Sequence, residues 1–326
     1  MRRPEFGALI GALSIFVLFA YFDQSGQFLK LGGIARWTDV AATEGIMAVV
    51  VALLMIGGEF DLSAGVMVGS SGLVLGLLVT KVHMNLYLAI LLTLIFGGLI
   101  GLLNGYLVVK TKLPSFVVTL ATFFLLRGFN LGFVQLWTGT VRVDGLHNAK
   151  GYQGIYRALA TTVWAPNQFN VDIFWWVGVT ILGSWVLTQT KIGSWITAVG
   201  GDANAARNSG VPVRKTKIGL FVTVSLAASF VGIMQCIKFD GMQASQGVGE
   251  EFTYIIAAVV GGCLLTGGFG SAIGASIGAS IIGIAFIGIS FANWNTDWNY
   301  AFLGGILFAA VSVNTFIRRR AERAKK

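Results

Sequence analysis

Long apolar stretches separated by short polar segments make up the chain. Each stretch holds roughly 17 to 25 mostly apolar residues, the length at which a helix crosses a hydrocarbon core about 30 Å thick. Apolar residues follow one another without alternation, whereas a barrel strand alternates apolar and polar positions. The pattern predicts an all-α integral membrane protein, a bundle of about ten transmembrane helices in one domain, residues 1–326. The predicted spans are residues 7–22, 40–56, 63–80, 86–109, 115–137, 171–188, 216–237, 252–265, 272–290 and 300–316.

The distribution of charge predicts the orientation of these spans. The 326 residues are 55% hydrophobic and only 11% charged, with a net charge of +9. If the N-terminus is cytoplasmic, fifteen of the 23 Lys and Arg residues fall in cytoplasmic segments and seven in outer ones. Cytoplasmic loops of membrane proteins carry the excess of Lys and Arg, so both termini are predicted to be cytoplasmic. The charge therefore marks one face of a protein in a lipid bilayer and does not indicate a nucleic-acid partner.

Glycine spacing predicts close contact between helices. Small residues at every fourth position allow two helix backbones to approach, so that van der Waals contact holds them together in lipid. Three such rows are Gly97, Gly101 and Gly105; Gly270, Gly274 and Gly278; and Ala275, Ala279 and Gly283. We expect most of these rows to pack within the chain, with homodimerisation through one of them as the alternative.

Residue types for catalysis or metal binding are sparse. The chain contains no G-x-x-x-x-G-K-[ST] phosphate loop, so we do not expect it to hydrolyse ATP itself. Cys236 and Cys263 lie in or beside separate apolar segments, and His83 and His147 lie far apart in polar loops. Neither a disulfide framework nor a metal site follows from these positions.

One short motif resembles a catalytic one. Gly69–Gly72 matches the G-x-S-G of intramembrane serine proteases, whose serine needs a histidine base on a neighbouring span. Both histidines of this chain fall in predicted outer loops. We therefore expect no catalytic residues, no enzymatic activity and no cofactor bound by this chain.

Few charges lie within the predicted spans. Glu44 and Arg127 are the only ones well inside them, and they could form an ion pair with one another or line a polar route. Glu59 and Asp61 lie at the junction between the second and third spans. Asp61, followed by Ser63, also fits an N-cap that opens the third helix.

The polar loop over residues 191–217 is predicted to be cytoplasmic and to dock on another protein. Asp202 is a candidate N-cap and Gly210 a stop signal, which predicts a short helix between them. Three alanines, at positions 203, 205 and 206, give this helix a small, smooth surface suited to a cleft on a partner. A solvated loop would not need such a surface.

Four blocks of sequence resemble the ribose-type permease subunits of bacterial ABC sugar importers. In family order they are GGEFDLSAG at 57–65, LPSFVVTLAT at 113–122 leading to Arg127-Gly128, AVGGDANAARNSG at 198–210, and IAAVVGG at 256–262 followed by GGFG at 267–270. Two positions depart from the family pattern: Glu59 stands where an apolar residue is more common, and Asp202 where Asn is more common.

The resemblance implies a permease subunit of an ABC importer, which translocates a monosaccharide or similar polyol across the bacterial cytoplasmic (inner) membrane. A separate ATPase, using ATP and Mg, would drive it. A periplasmic or lipid-tethered sugar-binding protein would deliver the solute, and a second permease copy, identical or different, would complete the channel. The alternatives are a stand-alone secondary carrier or facilitator of a small polar solute, and a more distantly related ABC permease for branched-chain amino acids.

Two sets of site residues follow from the loop, the resemblance and the positions of polar groups. The residues expected to couple to the ATPase are Gly200, Asp202, Asn204, Ala205, Ala206, Arg207 and Gly210. A polar solute sheds water as it crosses, so the route needs groups that form hydrogen bonds. The residues expected along it are Glu59, Asp61, Ser63, Ser70, Asn104, Thr119, Thr122 and Arg127.

Overall fold

Helices account for most of the computed structural model, which describes residues 4–164 and 168–323. The α-helices of this part are α1 (Pro4–Phe22), α2 (Leu31–Ile56), α3 (Ala64–Thr80), α4 (Leu86–Thr111), α5 (Ser115–Thr138), α6 (Tyr152–Leu159), α7 (Asp172–Gln189), α8 (Lys191–Gly201), α9 (Ala203–Asn208), α10 (Val213–Lys238), α11 (Glu250–Val260), α12 (Ala272–Phe291) and α13 (Trp298–Arg323). The predicted all-α class is confirmed.

Short strands form two small pairings. They are β1 (Arg142–Asp144), β2 (Thr162–Val163), β3 (Phe169–Asn170) and β4 (Gly241–Gln243). β1 pairs antiparallel with β4, so that Val143 lies opposite Met242, and β2 pairs antiparallel with β3.

Six of the described helices, α1, α2, α4, α5, α10 and α12, are long and apolar enough to cross a membrane. α7 and α8 together would make a seventh span, bent by 76° at their junction. α3 and residues 298–312 of α13 are apolar but shorter, and α11 has 11 residues. Each predicted span coincides with a helix, while the count of ten crossings stays a prediction.

Local hydrogen bonds at Thr190 explain the bend between α7 and α8. Its hydroxyl donates to the carbonyl of Val186 and accepts from the N–H of Gly193, which ends one helix and caps the next. A side chain at Gly193 would collide with the carbonyl groups of residues 186 and 187. The turn therefore requires glycine at this position.

The glycine rows pack inside the chain. A Cβ added to Gly101 of α4 would lie 2.7 Å from the Cα of Val222, so α4 and α10 touch backbone to backbone. Gly274 of α12 lies in the same way against Gly261 after α11. The expectation that most of these rows hold the chain together internally is confirmed.

One end of the bundle carries α9, and we call it the α9 end. α2 and α4 finish there, and α3, α5, α10 and α12 begin there. Gly268, before α12, donates its N–H to the carbonyl of Ile56 at the end of α2 (2.8 Å). Ser271 donates to the carboxylate of Glu5 in α1 (2.7 Å), which places the start of α1 at the same end. The opposite end, called the distal end, holds the two strand pairings and α6.

Candidate functional site

The short helix α9 is built by its own local sequence. Asp202 accepts hydrogen bonds from the N–H groups of Asn204 (2.8 Å) and Ala205 (3.0 Å). The bonds from Ala205 and Asn204 stabilise the carboxylate and lower the pKa of Asp202. Beyond the helix, Gly210 has a φ of +83°, the left-handed conformation that ends helices. The predicted N-cap and stop signal are both confirmed.

One face of α9 is fixed to the bundle and the other is exposed. Ala206 is buried between Val199 of α8 and Val213 of α10. Asn204, Ala205 and Arg207 are exposed. The helix therefore offers small and cationic side chains to a partner, and docking on an ATPase stays a prediction.

Three glycines from three separate segments meet at the end of α8, just before α9 in the chain. Gly58 follows α2, Gly200 lies at the end of α8, and Gly267 precedes α12; we call them the glycine junction. A Cβ added to Gly267 would lie 2.8 Å from both the Cα of Gly58 and the carbonyl oxygen of Gly200. One added to Gly200 would meet the carbonyl oxygen of Ile56 and, at 2.7 Å, the nitrogen of Gly268. The three segments touch backbone to backbone, with no side chain between them.

The turn between α2 and α3 contains a chain of buried hydrogen bonds. Asp61 accepts from the N–H (2.8 Å) and hydroxyl (2.5 Å) of Ser63. Asn104 of α4 donates to the same hydroxyl (3.0 Å), and Thr122 of α5 donates to the amide oxygen of Asn104 (2.6 Å). The chain links the turn to α4 and α5.

The structure corrects the interpretation of Asp61 as an N-cap. α3 begins at Ala64, and the residue that flanks it is Ser63, whose side chain forms no capping bond. Asp61 lies two residues before Ser63 and binds Ser63 itself. The local sequence fits a cap, but the turn is shaped instead by contacts with α4 and α5.

The backbone of this turn is also held by α5. The N–H of Phe60 donates to the hydroxyl of Ser115, and that of Leu62 to the hydroxyl of Thr119, both at 3.0 Å. Ser115 was not among the predicted site residues. In the sequence, only the hydroxyl residues of the LPSFVVTLAT block pointed to these contacts. The groups that Ser115 and Thr119 bind are backbone N–H groups, which leave no trace in the sequence.

The structure brings most of the residues predicted to line the route into this buried network, with Glu59 paired to Lys217 of α10. Ser70 lies apart from the network and donates to the carbonyl of Val66 (2.9 Å). Together with Thr122 it lines a groove of about 480 Å³ between α3, α4 and α5, whose other walls are mostly apolar. A role in translocation stays a prediction for all of them.

Arg127 differs from these residues because it is exposed at the middle of a spanning helix. It lies twelve residues from the start of α5 and eleven from its end. The faces of Gly128 and Gly132 are open as well, with no atom of the described residues within 4 Å of an added Cβ. We call Arg127, Gly128 and Gly132 the open strip of α5. Arg127 is the one exposed residue among the predicted route residues, and the exposed side chains around it, such as Phe124 and Phe129, are apolar.

The possible ion pair between Glu44 and Arg127 is not formed. Glu44 lies beside Glu250 at the start of α11, and Arg127 lies close enough to Glu251 for their charges to interact. The helices are rotated so that the two charges meet different partners on α11. Sequence alone could not set that rotation.

The segment from Phe239 to Gly249, which we call the descending segment, connects α10 to α11 along the side of α3. Its contacts follow α3 from the distal end toward the α9 end: Met242 at Gly72, Gln246 at Gly69 and Glu251 at Gly65. Three residues of it, Gly241–Gln243, form β4. α11 therefore starts inside the bundle, level with Glu44 at the middle of α2.

Comparison with known proteins gives consistent matches. The family model described as "Branched-chain amino acid transport system / permease component" matches residues 33–311. The xylose transport system permease protein of Escherichia coli (strain K12) is 28% identical over 96% of this chain and 92% of its own length. The ribose import permease protein of the same organism is 29% identical over 93% and 92%. The L-arabinose ABC transporter permease protein of Azospirillum brasilense is 32% identical over 86% and 79%.

No solved structure gives a significant match. The family model covers the chain from α2 into α13 and includes all four sequence blocks, the glycine junction, α9 and the descending segment. The resemblance inferred from those blocks is confirmed. The chain therefore belongs to the family of permease components of the branched-chain amino acid transport system.

Proposed function

We propose that the chain is the permease subunit of an ABC importer and passes a monosaccharide or similar polyol across the bacterial cytoplasmic membrane. Relatives that match almost end to end are named for xylose, ribose and L-arabinose, all of which are pentoses. The substrate therefore lies in this class. The apolar helices make the chain a multi-pass membrane protein.

The α9 end is the cytoplasmic face in this proposal. The excess of Lys and Arg in segments at this end supports it, since cytoplasmic loops retain positive charge. Ten crossings, with α3, α11 and α13 as shorter spans and α7–α8 as one broken span, put both termini in the cytoplasm. The whole chain then forms one permease domain, and residues 191–217 form its coupling loop.

A separate ATPase, which binds ATP and Mg, would grip α9. The observation that carries this step is the position of α9: its outer face is exposed, and α8, which leads directly into it, ends at the glycine junction. A push on the helix would reach the ends of α2 and α8 and the start of α12 through backbone contacts. Gly200, Asp202, Asn204, Ala205, Ala206, Arg207 and Gly210 supply this coupling surface and its support.

The solute route would run along the open strip of α5. A cation exposed to hydrocarbon at mid-membrane is costly, so Arg127 calls for water or another protein beside it. The descending segment adds irregular backbone at the same depth, which is tolerated only where it is buried or faces a water-filled cavity. A second permease copy against this face would enclose a polar route, with the binding protein delivering solute at the distal end.

Uptake by the reconstituted complex tests the proposal. The chain is assembled in liposomes with its cognate ATPase and binding protein, and pentose uptake is measured with ATP, without ATP and with the permease alone. We expect uptake only with all components and ATP. Equal uptake by the permease alone would instead support a stand-alone carrier, and uptake of leucine in place of pentoses would support the amino-acid branch of the family.

The variant Arg207→Glu tests the docking role of α9 in the same uptake assay. It reverses the charge on the exposed face of α9 and should abolish ATP-driven uptake while the protein still inserts. Arg157→Glu is the matched control, because Arg157 is an exposed arginine on α6 at the distal end. Unchanged uptake by Arg207→Glu would refute α9 as the docking helix.

A further inference from the structure

The distal loop between α5 and α7 is joined to the descending segment by backbone pairing. β1 of the loop pairs with β4 of the segment, and Ala244 donates its N–H to the carbonyl of Val141 (2.9 Å) just outside the ladder. Tyr152 of α6 donates its hydroxyl to the carbonyl of Ile237 (2.8 Å). The loop therefore holds the top of the descending segment at several points.

One residue of the segment receives three hydrogen bonds from the loop. Asp240 accepts from the N–H of His147 at Oδ1 (2.7 Å) and from the ring of the same histidine, Nδ1, at Oδ2 (2.6 Å). Its carbonyl accepts from the N–H of Gly145 (3.1 Å). Since the acceptor is a carboxylate, the ring proton lies on Nδ1. We call this contact the distal latch.

Asp240 adopts a conformation that few residue types take easily. Its φ is +52°, in the left-handed region where Asp, Asn and Gly are favoured. The chain reverses at this point, leaving α10 and turning down along α3. The latch fixes the direction of the segment where it enters the bundle.

The lower end of the segment joins the proposed route. Gly247 (φ +77°) and Gly249 (φ +98°) shape its last residues, and α11 follows with Glu250 and Glu251 in its first turn. Glu251 is buried at the start of α11 against Gly65 of α3, within electrostatic range of Arg127 on the open strip of α5. A segment fixed at its top therefore sets where the start of α11 stands beside the route.

We propose that His147 and Asp240 are positioning residues for translocation: the distal latch holds the descending segment so that the start of α11 faces Arg127. The inference rests on the proposed function and assigns a role to the distal loop. The segment consists of the three-residue strand β4 followed by turns, with internal bonds from the N–H of Gln246 to the carbonyl of Gln243 (3.1 Å) and from that of Val248 to the carbonyl of Ser245 (3.3 Å). Such a bonded segment would carry a displacement along its length. Movement of the loop, which lies at the face where a solute arrives, would thus shift α11.

Cysteine labelling measures the latch without transport. Ala244 is 0% exposed in the descending segment, next to the β1–β4 ladder, so Ala244→Cys should react with a membrane-impermeant maleimide added from the distal side only when the segment detaches. The natural residues Cys236 and Cys263 are 0% and 1% exposed, so they should not react while the fold is intact. Mass spectrometry of the intact permease in its complex reads all three sites together.

Asp240→Asn in the Ala244→Cys background tests the latch. Asn tolerates the left-handed conformation but lacks the charge, so the segment should detach more often and the labelling rate at position 244 should rise about tenfold. His147→Gln removes the ring that binds Asp240 and should likewise raise the labelling rate. This second variant provides the test if Asp240→Asn is poorly expressed.

The matched control is Asp144→Asn, which removes an exposed ion pair with Arg142 inside β1 and leaves Asp240 untouched. We expect its labelling rate to equal that of the parent. In the complex, Asp240→Asn should lower the maximal uptake rate at saturating binding protein, while Asp144→Asn should not. Labelling of Cys236 or Cys263 in Asp240→Asn would point to general unfolding and overturn a positioning role.

Each of the other possible outcomes overturns one part of the proposal. Equal labelling in Asp240→Asn and Asp144→Asn would overturn the latch, and faster labelling with unchanged uptake would overturn its role in translocation. Absence of uptake in the parent complex would refute the proposed function, and the positioning role with it. Labelling is measured independently of uptake, so failure of the latch and failure of the function can be told apart.

Discussion

Glu59, in the turn between α2 and α3, forms an ion pair with Lys217 near the start of α10. The Glu59 side chain is 8% exposed and that of Lys217 is 23% exposed, so the pair is largely shielded from water. Lys217 lies in the second turn of the helix that directly follows α9. The pair therefore ties the start of α10, just after α9, to the turn whose hydrogen bonds reach α4 and α5.

Removal of one partner should destabilise the protein. Glu59→Gln leaves the Lys217 ammonium partly buried without its counter-ion, at an expected cost of about 2 kcal/mol, between the values for exposed and fully buried pairs. The thermal midpoint of the detergent-solubilised protein should fall accordingly. Reversal of the pair, Glu59→Lys with Lys217→Glu, should recover most of the loss.

Lys215→Gln provides the control for this pair. Lys215 is exposed on the same helix, and among the side chains that the structure describes it forms no ion pair. Its thermal midpoint should stay at the parent value. If Glu59→Gln melted at that value too, the ion pair would not contribute to stability.

The glycine junction predicts a sharp difference between two adjacent residues. Gly200→Ala places a methyl group against the carbonyl of Ile56 and the backbone of Gly268, so the segments behind α9 must separate. Gly201→Ala meets no atom of the described residues within 4 Å. We expect a loss of about 2 kcal/mol or more for the first and less than about 1 kcal/mol of change for the second.

Thermal unfolding of the two variants, together with their assembly with the ATPase, makes the comparison. Gly200→Ala should melt earlier and assemble poorly, while Gly201→Ala should behave like the parent. Identical behaviour of both variants would mean that the three segments are not in close contact.

Substitution of Arg127 should lower transport activity without lowering thermal stability. Arg127→Leu removes a charge from mid-membrane, where it is costly, so the thermal midpoint should stay the same or rise. Uptake should fall at least about tenfold, because a polar group is lost from the proposed route. Phe124→Leu, one turn away on the same exposed face of α5, should leave uptake unchanged. Normal uptake by Arg127→Leu would remove this residue from the route.

The lowered pKa of Asp202 predicts that α9 becomes less stable at acidic pH. Its pKa is lowered in the folded protein by the bonds from the Ala205 and Asn204 N–H groups. Its stabilisation is therefore fully present above the ordinary pKa of 3.8 and is lost as the pH falls through the lower, folded value. Hydrogen exchange of the α9 amides should speed up over that range, after correction for intrinsic rates.

Asp202→Asn tests the cause of that effect. Asparagine is also a good N-cap but does not titrate, so exchange in α9 should be protected to the same degree across the range. Acid loosening that persists in Asp202→Asn would assign the effect to another group.

Helix α9 shows how much local sequence can specify. An acidic N-cap, a run of helix-forming residues and a left-handed glycine are each short-range signals, and each acts in the structure as predicted. The predicted spans coincide with helices for a similar reason, since backbone groups in hydrocarbon must be satisfied within one segment. The packing of the glycine rows follows from their spacing alone.

The descending segment shows where sequence reasoning stops. Because residues 239–249 are not a continuous apolar stretch, the predicted spans over 216–237 and 252–265 leave them in an outer loop. The predicted span over residues 252–265 becomes α11 and a turn, because α11 ends at Val260 and Gly261 packs directly against α12. Only the packing against α3 gives this irregular segment a place inside the bundle.

The sequence by itself determined the membrane class, the helices, the family and the short helix α9, because apolar length, capping and motif order act over a few residues. The tertiary structure alone decided that Glu59 meets Lys217, that Asp61 binds Ser63 within a network reaching Thr122, and that Arg127 is exposed while Glu251 is buried. Those relationships depend on the rotation and depth of each helix, which are set by contacts between residues far apart in the chain.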